Sequence, residues 1–100
     1  MANIEKTERI NQLFDIYENL FTEHQIQIFQ SYYQDDLSLK EIAEDLNISR
    51  NAVFDVLKRV EILLEDYESK LHLLDKFDEI EKIVENQEEL KEKIMTVLNR

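Results

Sequence analysis

Ser38 to Glu61 read SLKEIAEDLNISRNAVFDVLKRVE, and this stretch predicts a helix-turn-helix. Ser38 followed three residues later by Glu41 is a capping box, so a helix starts there with Ile42, Ala43 and Leu46 on one face. Asn47 stops it. A helix that ends in a short turn needs a residue tolerant of the left-handed conformation, and in a chain without glycine Asn meets that need at least strain. Ser49 then caps the next helix. Ile42, Leu46, Ile48, Val53 and Val56 are spaced so that two short helices share one small core, with Ala43 where they cross closest.

That core assignment leaves six positions of the second helix facing outward: Arg50, Asn51, Phe54, Asp55, Lys58 and Arg59. In DNA-reading versions of the motif this face enters the major groove. Arg50, Lys58 and Arg59 suit phosphates or base edges, and Asn51 can make a bidentate contact to adenine. The plainer reading is that the cations pair with acids one turn away, as Arg59 can with Asp55. Phe54 favours a binding role, because an outward aromatic is costly to leave in water unless a neighbouring helix covers it. Helix-turn-helix units also serve as protein-binding and dimerising modules, so the motif fixes the fold more firmly than the function.

One hundred residues suit one domain, and 43% apolar residues give it a core; without Gly or Pro its turns rest on Asn, Asp, Ser and Thr, which favours an all-α fold. We expect residues 22–61 to form the helix-turn-helix core and 62–100 a long C-terminal helical extension. No run approaches the roughly 18 apolar residues of a membrane span, and the opening MANIEKTERI lacks the apolar centre of a signal peptide, so a cytoplasmic location is expected. Absence of Cys excludes disulfides, thiolate metal sites and a cysteine nucleophile.

The net charge is −11, the opposite of what phosphate binding asks for. Its distribution is uneven. Residues 1 to 37 carry 2 Lys/Arg against 7 Asp/Glu, residues 38 to 59 carry 4 against 4, and residues 60 to 100 carry 6 against 12. The motif is the one neutral island.

Before it, Ile10, Leu13, Phe14, Tyr17, Leu20 and Phe21 mark an amphipathic first helix. Thr22 and Gln25 form a second capping box, opening a helix that turns Ile26, Phe29 and Tyr33 inward and ends near Gln34, before the turn signal Asp35-Asp36. After it, Val53, Leu57, Val60, Leu64, Tyr67, Leu71 and Leu74 are spaced alternately by four and three, a heptad pattern that extends the second motif helix. So much apolar surface must pack against the N-terminal helix, the C-terminal segment or a second copy of the chain. In the last case Leu64, Tyr67, Leu71 and Leu74 form a dimer interface. The phase slips between Leu74 and Ile80, predicting a bend or short break at residues 70 to 79, and Ile83, Leu90, Ile94 and Val97 carry a fresh stripe into a last helix. The acidic outer face there, with Glu81, Glu85, Glu88, Glu89 and Glu92, reads either as solvated surface or as a surface for a basic protein.

Little else in the chain suggests chemistry. His24 and His72 lie far apart with no third nitrogen or sulfur ligand, so no metal site is expected. Asp35-Asp36 lacks the alternating oxygens of a calcium loop, and no Gly-rich phosphate loop or nucleophile elbow exists. No enzyme activity and no cofactor are expected.

The segment from Leu20 to Arg59 resembles region four of sigma factors, which also sets a capped helix before a D-D-x-S-x-x-E-I-A helix-turn-helix. It resembles more closely the YlxM family of small bacterial helix-turn-helix proteins. The resemblance lies in EKTERINQLFDIY (5–17), YYQDDLSLKEIAEDLNISRNAVFD (32–55) and KRVEILLEDYESKL (58–71), and spans about residues 5 to 75 with no match seen after Leu74. It implies an all-helical dimer encoded beside the signal recognition particle GTPase and its receptor, acting in or regulating that pathway. The partners implied are the particle's protein and its RNA, with regulatory DNA binding as the alternative. The resemblance carries onto this sequence the turn from Asn47 to Ser49 and, as contact positions, the outward set Arg50, Asn51, Phe54, Asp55, Lys58 and Arg59. Asn51, Phe54, Val56 and Val60 stand where the family usually has Gln, Tyr, Asn and Thr, which makes this helix more apolar.

Overall fold

A computed structural model describes residues 4–99 of the chain, and these form six α-helices with one 3-10 turn. Helix α1 spans Ile4–Tyr17 and runs through the 3-10 turn Glu18–Leu20 into α2, Glu23–Tyr33. Helices α3 (Leu39–Leu46) and α4 (Arg50–Leu71) are the motif, followed by α5 (Leu73–Val84) and α6 (Glu88–Leu98).

Local chemistry sets the first boundaries. At α2 the Thr22 hydroxyl accepts the Gln25 N–H at 3.2 Å while the Gln25 side chain accepts the Thr22 N–H at 2.9 Å. At α3 the Ser38 hydroxyl accepts the Glu41 N–H at 3.1 Å, and the Glu41 carboxylate accepts the Ser38 N–H at 3.2 Å. Two amides that a helix start leaves unpaired are satisfied in each box. Between them Asp36 adopts a positive φ of 58°, which makes Asp35-Asp36 the expected turn.

Two apolar clusters meet along α4. In the first, Ile10, Leu13, Phe14 and Tyr17 of α1 pack on Val60 and Leu64 of α4, with Phe21, Phe29 of α2 and Leu74 of α5. Phe14 and Phe29 stack with centroids 3.9 Å apart and planes 12° from parallel. The second joins Ile28 of α2 to Ile42, Ala43, Val53 and Leu57 of the motif, with Leu46, Ile48 and Val56 against it. Each fully buried side chain of this size contributes ~1.5–3 kcal/mol, so laying α1 and α2 along α4 is the main stabilising act of the fold.

This packing answers what covers the heptad stripe. Leu64 is wholly buried and Leu74 8% exposed within the single chain, and Tyr67 is partly buried between Tyr17 and Phe21, so α1 and its neighbours close over the stripe. The N-terminal helix is the partner. Leu71, read as part of the same surface, is 46% exposed because α4 ends there. Three further expectations are corrected. Leu20 lies exposed in the 3-10 turn rather than in the core. Ile28, not read as inward, is fully buried, since α2 presents one face to α1 and another to the motif. Of the stripe Ile83, Leu90, Ile94 and Val97, only Ile94 is half-buried and the other three are exposed; Val84 is the buried residue there, and α5 and α6 form a hairpin rather than one last helix.

The break falls at His72, which takes a left-handed conformation (φ 55°) between α4 and α5. Tertiary chemistry holds it. Glu68, a buried carboxylate on α4, accepts the Tyr17 hydroxyl at 2.7 Å, the Leu74 N–H at 3.1 Å and the Asp75 N–H at 3.3 Å. It therefore caps the start of α5 from outside that helix, where the helix dipole favours a negative charge. No described helix is long and apolar enough to cross a membrane.

Candidate functional site

The outer side of α4 takes its pose from the turn that precedes it. Asn47 takes φ 55° and ψ 45°, and its N–H and that of Ile48 bond to the Glu44 and Ala43 carbonyls at 3.3 and 3.0 Å. Ser49 then accepts the Ala52 N–H at 3.0 Å and starts α4. Val53 and Leu57, buried against α3, fix the rotation of the new helix.

With that rotation fixed, Arg50, Asn51, Phe54, Asp55, Lys58 and Arg59 are all exposed, as expected. Phe54 is 53% exposed, so no neighbouring helix covers it fully. The pairing of Arg59 with Asp55 is not formed. Among the described residues no ion pair engages Arg50, Asp55, Lys58 or Arg59. Three cations and an amide thus stand along three turns of helix around an aromatic ring. Such a face can take phosphate oxygens, base edges or a protein surface bearing carboxylates and apolar side chains. It holds no nucleophile and base within reach of one another.

The joint at Glu68 brings together groups that sequence spacing alone had not connected. Metal-binding atoms of Glu68, His72 and Asp75 lie within 4.8 Å of one another. Their spacing of four and three was the signal available in the sequence. The cluster suits structure better than a cation: both Glu68 oxygens already accept N–H or O–H donors, and the N-terminus of α5 directs its positive dipole end there. Burial, followed by the Glu68 hydrogen bond, pushes the Tyr17 phenol up to about 12. Burial alone would raise Glu68, but the bonds from Tyr17, Leu74 and Asp75, helped by the Arg9 charge, hold its carboxyl below the ordinary value.

Comparison with known proteins supplies the family. The family model for helix-turn-helix proteins of YlxM/p13-like type, UPF0122, matches residues 4–99. The chain belongs to this family. A UPF0122 protein of Bacillus thuringiensis (strain Al Hakam) is 53% identical over 81 residues, covering 81% of this chain and 74% of its own. UPF0122 proteins of Bacillus mycoides (strain KBAB4) and Bacillus cereus (strain AH187) match with the same identity and coverage. For this UPF0122 chain the match reaches beyond Leu74, where no likeness was visible in the residues. The family model therefore extends over the residues of α5 and α6.

Proposed function

We propose that the protein is a helix-turn-helix accessory factor of the bacterial signal recognition particle, with the outer face of α4 as a contact surface for the particle's GTPase, its RNA or both. The observation that carries this is the cluster of Arg50, Lys58 and Arg59, unpaired among the described residues, around the exposed Phe54. The particle is the partner that the resemblance to the YlxM family implies. A molecule of charge −11 finds a basic protein more readily than a polyanion, so the GTPase's methionine-rich RNA-binding domain, which would be basic, meets the acidic surfaces beside this face, while the three cations meet the particle's RNA or carboxylates of its protein. Any nucleic acid must then approach through the neutral motif. The dimer implied by the same likeness would use apolar residues that the single chain leaves uncovered, among them Ile62 and Leu71, and light scattering reads it out.

The test is a titration against the reconstituted particle, its protein and its RNA, with random duplex DNA in parallel. Saturable binding to the particle or a component, without DNA binding, supports the reading, and no binding to any of them removes it. A second reading, a sequence-specific transcription regulator, is favoured by Asn51 standing exposed beside Arg50 at the start of α4. It requires DNA affinity that falls steeply with salt and specificity that Asn51→Ala abolishes.

A further inference from the structure

A hollow of about 500 Å³ lies between the end of α2 and the start of α3. It is lined by Tyr32 and Tyr33, by Leu37 and Leu39, by the acidic residues Asp36 and Glu41, and by Ser38 and Thr7 of α1; none of the described residues lining it is Lys or Arg. Tyr33 buttresses Tyr32 edge to face, with centroids 5.0 Å apart. Asp36, with a left-handed backbone, is one of the lining residues, and among the described residues no hydrogen bond or ion pair engages it. One Glu41 oxygen accepts the Ser38 N–H, and the other is without a partner among these residues.

We propose that this hollow receives an arginine side chain from a basic protein partner. Charge complementarity chooses the occupant. Two carboxylates without a counter-ion repel phosphate and therefore exclude a nucleotide, while a guanidinium can lie on an aromatic face and bond a carboxylate at its edge. A second copy of this chain would bring a further −11 charge to an acidic surface and is disfavoured. The adjoining hollow shares Tyr32, Tyr33 and Leu39 and reaches Phe54 and Leu57 of α4, with Lys6, Lys58 and Glu61 also on its lining, so a partner seated here by its arginine can extend an apolar side chain toward Phe54. The proposal rests on the reading that the partner is a basic protein, and gives that protein a second point of attachment.

The test uses the full ¹⁵N-labelled chain and an acetylated, amidated alanine–leucine helical peptide bearing arginines on one face. Its control carries citrulline in place of each arginine. The arginine peptide is expected to shift the amides of Tyr32, Leu39 and Glu41, and the citrulline peptide to leave them unmoved. The double variant D36N/E41Q is expected to bind about ten-fold more weakly, as loss of two partly exposed charge contacts implies. It should fold normally, because Asn tolerates the left-handed position and Gln already completes the capping box of α2. Equal binding of the citrulline peptide, an unchanged affinity in D36N/E41Q, or shifts confined to other surfaces would each overturn the proposal. The same variant against the particle separates the two readings. Particle binding that D36N/E41Q leaves intact refutes the hollow and keeps the function. Arginine-dependent binding at the hollow without particle binding keeps the hollow and removes the particle.

Discussion

Replacing Glu68 by Ala should loosen the joint between α4 and α5. The substitution removes the acceptor for the Tyr17 hydroxyl at 2.7 Å and for two amides of α5 at 3.1 and 3.3 Å. A buried donor left without a partner costs ~1–3 kcal/mol, and the Tyr17 hydroxyl, aimed at a charged acceptor, belongs at the upper end. The two amides sit next to exposed His72 and Asp75, so water can replace part of what they lose. The expected loss is about 3–4 kcal/mol, or roughly 15–25 °C in Tm for a domain of this size. Glu68→Gln keeps an acceptor but not the charge and should lose about 1 kcal/mol. The sign of the pH dependence follows from the direction of the shift. Glu68 has its pKa lowered in the fold, so its charge adds stability that is complete above the unfolded value of about 4.3 and disappears as pH falls through the folded value. The gap between wild type and Glu68→Gln should therefore be full at neutral pH and close below about pH 4. Urea unfolding followed by far-UV circular dichroism measures both. A Glu68→Ala loss under about 1 kcal/mol, or a gap that persists undiminished at about pH 3, would refute the capping role.

Three further outcomes are expected. Asn47→Ala, which puts a Cβ-only side chain at φ 55°, should cost ~1 kcal/mol, while Asn47→Gly should be close to neutral; urea midpoints compare them. Leu64→Asp should prevent folding by burying an unpaired charge, whereas Leu71→Asp should change stability by no more than about 0.5 kcal/mol; far-UV circular dichroism tells them apart. Phe14→Ala should cost about 3–5 kcal/mol, because the ring is fully buried and stacked on Phe29; thermal unfolding measures it.

How much was legible in the sequence tracks the range of the interactions involved. The starts of α2, α3 and α4 and the turn at Asn47 were readable because each is made by residues within four positions of one another. The outward set on α4 followed from the same local pattern, and every member is exposed. Periodicity showed that the stripe from Leu57 to Leu74 had to be covered, but the identity of the cover depends on α1, about fifty residues earlier. The phase slip located the break within ten residues. What holds it at His72 is a hydrogen bond between Tyr17 and Glu68 that no local pattern encodes. Ile28 was missed because a helix packed on two sides shows no single clean stripe. The hollow beside Tyr32 needed the fold as well, since it exists only once α2 and α3 are set against each other.

The outer face of α4 is tested most directly by one equilibrium titration. Wild-type chain and the triple variant Arg50→Gln, Lys58→Gln, Arg59→Gln are each titrated against the reconstituted particle at about 150 mM salt, where screening leaves short-range contacts in force. Removing three exposed charges should leave stability within about 0.5 kcal/mol for each substitution, so any change in binding reads the surface itself. The expected result is saturable binding by the wild type that the triple variant loses. Equal binding by both would contradict the assignment of this face as the contact surface, and would move the search to the acidic side of the molecule.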